Sequence, residues 1–125
     1  MTVDGDLGFG TVPIIRMHGL LLVPIQSPPS DTQARQLLQD LLDTVVRTGF
    51  KKLVVDVSAL EIIDSYLTRI LHDLLAAAEK LGVKGAIVGI RPAVAITLVQ
   101  MGLDSFPART FLSLDLALEH FQVRA

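Results

Sequence analysis

The sequence predicts an α/β fold: a mostly parallel sheet of four to five strands, begun by an antiparallel hairpin and accompanied by about four helices. Three observations carry this expectation. Short runs of β-branched and leucine residues alternate with longer segments whose apolar residues recur at helical period. Two of the short runs, KLVVDV at 52–57 and KGAIVGI at 84–90, are almost continuously apolar, the pattern of strands covered on both faces. Proline, glycine and serine punctuate the boundaries between runs. Read in order, the elements are β-β-α-β-α-β-α-β-α, and alternation of this kind requires crossover connections and hence parallel pairing.

Each element has a local reason. Residues 1–11 are glycine-rich and acidic without any period, and are expected to form a flexible arm. From Val12 to Ile25 two apolar runs flank His18-Gly19, which suits a tight hairpin turn because glycine accepts positive φ. Prolines in SPPS at 27–30 stop the sheet, and Ser30 with Gln33 three residues later matches a capping box. The first helix then carries Ala34, Leu37, Leu38, Leu41, Leu42, Val45 and Val46 as an apolar stripe and closes at Gly49. A second helix presents Leu67, Ile70, Leu71, Leu74, Leu75, Ala78 and Leu81 and closes at Gly82. Arg91-Pro92 opens a third, since proline at the first helical position loses no hydrogen bond, and Gly102 is expected to end it. RTF at 109–111 is a brief last strand, after which Ser113 caps a helix with Leu114, Ala117, Leu118 and Phe121 inward.

Composition narrows the function classes. A chain of 125 residues suffices for one domain with a real core. Charged residues are 19%, below the roughly 25% usual for soluble domains, which points to self-association or a permanent partner surface. The net charge of -2 and scattered Lys and Arg leave no basic stripe for a nucleic-acid backbone. Without cysteine there is no disulfide framework, thiolate nucleophile or cysteine metal site. The start, MTVDGDLGFG, lacks the regions of a signal peptide. The most apolar stretch, VPIIRMHGLLLVPI, is too short to span a membrane and is broken by Arg16, His18 and two prolines, so a cytoplasmic protein is expected.

No catalytic constellation emerges. Gly8-Phe9-Gly10 begins like a dinucleotide fingerprint, but Pro13 stands where the third glycine belongs and no strand precedes it. There is no phosphate-cradling GK[ST] motif. His18, His72 and His120 lack the mutual or carboxylate spacing of a zinc site. Asp56, at the end of a buried strand, lacks the acidic cluster that phosphate-accepting aspartates require, and is expected to bond loop amides instead.

The informative stretch is EIIDSYLTRIL at 61–71. Asp64 and Ser65 precede the first stripe residue, Leu67, so one is the N-cap and the other lies in the first turn. Capping alone explains both. The same place also suits a phosphoryl group, because free amides and the positive end of the helix dipole favour an anion. The wheel puts Ser65 on a face with Thr68, Arg69 and His72, away from the leucines, and Arg69 at i+4 can reach back toward it. Thr97, in mid-helix between Val94, Leu98 and Met101, is a comparable candidate. A threonine there ordinarily bonds to a carbonyl one turn earlier.

The element order, VVDVSALEIIDS running into a helix, and GIRPAVAITLVQMGL after the fourth strand resemble the STAS family, the domain shared by sulfate-transporter C-termini and anti-sigma factor antagonists. The similarity extends from about Val12 to Glu119, and within the family it is to the scaffold subunits of the bacterial stressosome. The resemblance implies one STAS domain over residues 12–121 and a non-enzymatic regulator without cofactor or metal. It implies co-assembly with STAS sensor paralogues of the RsbR type and sequestration of a serine kinase of the RsbT type. It maps the kinase's target onto Ser65, with Asp64 as its neighbour; Arg69, from its helical spacing, and Asp56 are expected as further docking or phosphate-supporting residues. Thr97 matches a threonine modified in the sensor paralogues, a modification not usually assigned to scaffold subunits. Those paralogues carry a further N-terminal domain where this sequence has about a dozen residues. The competing reading is a free anti-anti-sigma factor, whose pattern has a small residue and then glycine after the serine; here Tyr66 and Leu67 follow.

Overall fold

The computed structural model describes residues 12–101 and 107–122. Nine elements follow one another: β1 (Ile15–Met17), β2 (Leu20–Pro24), α1 (Asp31–Thr48), β3 (Lys52–Asp56), α2 (Ser65–Lys80), β4 (Lys84–Val88), α3 (Pro92–Gln100), β5 (Arg109–Phe111) and α4 (Leu114–His120). The expected order is therefore observed, with five strands and four helices. The expected arm at 1–11, with its Gly8-Phe9-Gly10, and the expected helix-ending Gly102 lie outside the described residues.

The sheet runs β1-β2-β3-β4-β5 in space as in sequence. Only β1–β2 is antiparallel, Met17 facing Leu20 across a turn in which His18 (φ 48) and Gly19 (φ 80) both take positive φ. The parallel ladder aligns Val23, Val55 and Ile87 across the three central strands. A sheet whose parallel strands follow sequence order, joined by crossovers of one hand, puts its crossover helices on one face.

Side-chain alternation divides the interior accordingly. On one face Leu21, Val23, Leu53, Val55 and Ile87 meet Leu37, Leu41 and Val45 of α1, the leucines of α2 and Val94 of α3. On the other, Leu20, Val54, Ala86 and Val88 meet Ala117 and Phe121 at α4. Leu53, Val54 and Val55 are wholly buried, as strands with two covered faces must be.

The stripe of α1 needs one correction. Val46 is 74% exposed, while Thr44 is buried with its hydroxyl donating to the Asp40 carbonyl at 2.6 Å. At about 100° per residue Val46 points away from Leu37, whereas Thr44 falls within about 20° of Leu37 on the buried face. The threonine tolerates burial because its own helix supplies the acceptor.

Two glycines separate conformational cost from steric cost. Gly19 has nothing within 4 Å of a notional Cβ; at Gly89 (φ +78) a Cβ would lie 2.6 Å from Ser58 Cβ and 3.0 Å from Ser58 Cα. Gly19→Ala is expected to cost about 1–2 kcal/mol, the left-handed conformation alone. Gly89→Ala should cost more, because the β3–α2 loop must also give way. Urea unfolding of the two variants checks this, and equal losses would show that the approach of Ser58 imposes nothing.

Candidate functional site

Three loops end at the C-terminal edge of the parallel strands, and α1, α2 and α3 all begin there. Asp64 is the N-cap of α2, with extended backbone (φ -111, ψ 179) and its Oδ1 accepting from the Leu67 amide at 2.8 Å. Ser65 is the first helical residue and is exposed. Its hydroxyl makes no hydrogen bond among the described residues. The sequence left the division of labour between Asp64 and Ser65 open; here the carboxylate does the capping and the hydroxyl stays in solvent.

The flanks of Ser65 are less alike than the helical wheel suggested. Arg69 is exposed on the same arc and makes no hydrogen bond or ion pair among the described residues. Thr68, expected on that exposed face, is instead 1% exposed. Its hydroxyl donates to the Asp64 carbonyl at 2.8 Å and lies 3.6 Å from Met101 Sδ at the end of α3. The wheel places Thr68 at the border of the leucine stripe, and the neighbouring helix covers that border.

On the opposite flank Tyr66 faces α1. Its hydroxyl donates at 3.2 Å to the carbonyl of Pro29, just before the α1 cap Ser30, whose hydroxyl accepts from the Gln33 amide at 3.2 Å. Sequence reasoning noted Tyr66 only as a bulky departure from a pattern; its bond to a residue 37 positions away had no local signal. The Tyr66 phenol is held above the ordinary value of 10.0, first by the Asp31 carboxylate as a second acceptor competing with the Pro29 carbonyl for the phenol proton, then by partial desolvation and by the charges of Asp31 and Asp64, with Arg35 acting oppositely.

The other candidates stand apart from Ser65. Asp56, half-buried at the end of β3, accepts from the Ser58 amide at 2.9 Å, the loop-bonding role expected for it. Arg91 braces the same loop, its Nε donating to the Ser58 carbonyl at 2.9 Å. Thr97 donates to the Ala93 carbonyl at 3.0 Å, the expected back-bond within α3. His18 is in the hairpin turn, His72 lies 3.5 Å from Asp73, and His120 packs against Phe111 and Phe121. Among the described residues no three His, Asp or Glu side chains converge to hold a metal ion, and no helix is long and apolar enough to cross a membrane.

Comparison with known proteins places this edge in context. The STAS domain model matches residues 3–117. A solved structure of a variant RsbS from Moorella thermoacetica superposes with TM-score 0.77 at 38% identity, covering 89% of this chain and 94% of that one. A chain from the molecular architecture of the stressosome, a signal integration and transduction hub, gives TM-score 0.78 at 38% identity, covering 88% and 96%. Among curated sequences, the RsbT co-antagonist protein RsbRC of Bacillus subtilis is 29% identical over 91 residues, 73% of this chain. The match spans 32% of the length of that relative.

The capping geometry sets two expectations. Asp64→Ala should lower stability by about 1 kcal/mol through loss of the cap, whereas Ser65→Ala should stay within about 0.5 kcal/mol because its hydroxyl holds nothing. Denaturant titration separates them, and a larger loss for the serine would reverse the assignment.

Tyr66 is the sole tyrosine, so tyrosinate absorbance reports it alone. Its midpoint should lie above 10.0 in the folded chain and fall toward that value in Asp31→Asn. A raised phenol pKa contributes stability that is fully present below the unfolded value and is lost as pH rises through the folded one. An unshifted midpoint would remove Asp31 from the site.

Proposed function

Because the chain belongs to the STAS domain family, we propose that it is a non-enzymatic, cytoplasmic scaffold subunit of a stressosome, controlled by phosphorylation of Ser65. It would co-assemble with itself and with STAS sensor paralogues of the RsbR type, and hold a serine kinase of the RsbT type until that kinase modifies it. The similarity to RsbS and to a stressosome chain over nearly the full length of both supports the scaffold role. The similarity to a protein named as an RsbT co-antagonist supports the choice of partners.

One observation carries the assignment of the site: Ser65 stands at a helix start with its hydroxyl unspent because Asp64 has taken the cap. A kinase needs a hydroxyl it can extract from its surroundings without breaking local structure, and Ser65 meets that requirement. Thr97 offers a hydroxyl already committed to Ala93 and remains a secondary candidate.

The switch follows from charge. A phosphoryl group adds about -1.5 to -2 charges and three acceptor oxygens. At a helix start this is mildly stabilising, about 0.3–1 kcal/mol. At a docking surface formed for an uncharged serine, the same group costs several kcal/mol through desolvation and like-charge contact. Each 1.4 kcal/mol is tenfold in affinity, so the fold persists while the kinase leaves. Arg69, one turn along the helix, is placed to meet the new charge, and Asp64 bounds it on the other side; Asp56 would act through the loop it braces.

Phosphate incorporated from ATP by an RsbT-type kinase should map to Ser65 by mass spectrometry and vanish in Ser65→Ala; undiminished labelling of that variant would sink the site. Size exclusion with an RsbR-type paralogue should yield a large joint species. Separate small species would favour a free anti-anti-sigma factor instead.

A further inference from the structure

The surface around Ser65 is lopsided. Toward α3 it is closed, with Thr68 buried beneath Met101. Toward α1 it is open, and its most prominent feature is the ring of Tyr66, 40% exposed yet fixed by its hydrogen bond to the Pro29 carbonyl. Beside the ring a cleft of about 190 Å³ runs between α1 and α2, floored by Leu38 and Ile70 and edged by Asp31, Arg35 and Asp73. Asp31 and Arg35 belong to the first turns of α1, are exposed, and act electrostatically on the Tyr66 hydroxyl. The single bond from Tyr66 to Pro29 therefore joins two helix starts into one continuous patch: an acceptor serine, a rigid aromatic and a pair of opposite charges.

A half-exposed aromatic that is already held in place loses little conformational freedom when a partner covers it, which is why such residues dominate the energetics of protein interfaces. A ring serving only as a pin between helices would need no exposure. The one flank of Ser65 that remains open is also the one that carries it.

We propose that Tyr66 is a specificity-determining residue for the protein kinase that modifies Ser65, which seats on the Tyr66 ring and on Asp31 and Arg35 of α1. Two helix starts, rather than the serine's own helix alone, then form the docking surface. The partner's matching chemistry is an apolar pocket for the ring, flanked by charges that pair with Asp31 and Arg35. This inference rests on the reading of Ser65 as the phosphate acceptor.

The test is steady-state phosphorylation of the full chain by an RsbT-type kinase, with binding of the same kinase to the Ser65→Ala chain as a readout independent of the chemistry. Tyr66→Ala should raise KM for the protein about tenfold with kcat within twofold, and weaken binding to the Ser65→Ala chain by a similar factor. Tyr66→Phe, which keeps the ring, should recover most of the loss. Arg35→Glu, on the exposed surface of α1, should raise KM without lowering the melting temperature, and carries the test should Tyr66→Ala fold poorly. If KM and binding stay within twofold of the parent in both Tyr66→Ala and Arg35→Glu while Ser65 is still labelled, this inference fails and the acceptor assignment stands. If the parent chain is not labelled at Ser65, both fail together.

Discussion

The hydrogen bond from the Leu67 amide to Asp64 is the interaction on which the site depends. A helix start exposes amides that must find acceptors, and serine is as good a cap as aspartate. Had the helix begun one residue later, Ser65 would have turned its hydroxyl onto the backbone. Because Asp64 meets this need, the serine is left as a hydroxyl with local order around it and no structural duty. The backbone shows which of the two occupies the cap: Asp64 is extended, whereas Ser65 is already helical.

The core and the site are thus coupled through one helix. Seen down α2, the leucines face the sheet, Thr68 turns to α3, Tyr66 turns to α1, and Ser65 with Arg69 points outward between them. Each flanking residue is held by a bond that leaves α2: Thr68 toward Met101, and Tyr66 toward Pro29. These contacts fix the rotation of the first turn. The loop that leads into it is itself braced, by Asp56 and Arg91 acting on Ser58 and by the close pass of Gly89. Ser65 is therefore presented by a rigid support, although its own side chain is free.

What the sequence revealed and what it concealed divide along contact distance. The hairpin, the capping box at Ser30, the buried strands and every helix were legible because each rests on residues within a few positions of one another. The cap at α2 was legible as a pair but not as an assignment, because Asp and Ser are equivalent on propensity alone and only the backbone conformation of the folded chain decides. Thr68 and Val46 were misplaced for the same reason. A wheel gives the direction of a side chain but not the width of the face that neighbours will cover. α3 widens the buried face of α2 to include Thr68, while the buried face of α1 is narrow enough to leave Val46 outside. The Tyr66–Pro29 bond, joining residues far apart in sequence, left no local trace at all.

The rigidity of this support constrains how a modification at Ser65 could be felt. A phosphoryl group there meets open amides at the helix start and Arg69 one turn away, so the folded chain has no reason to rearrange around it. Disruption by unfolding would have to overcome the leucine core of α2, which buries five leucine and alanine side chains at 2% exposure or less: Leu67, Leu71, Leu74, Leu75 and Ala78. Truncating even one such leucine costs about 2–5 kcal/mol, several times what a charge at a helix terminus supplies. The effect of the charge must then fall on whatever lies against the surface, and an edge whose geometry is held from both flanks passes it on undiminished.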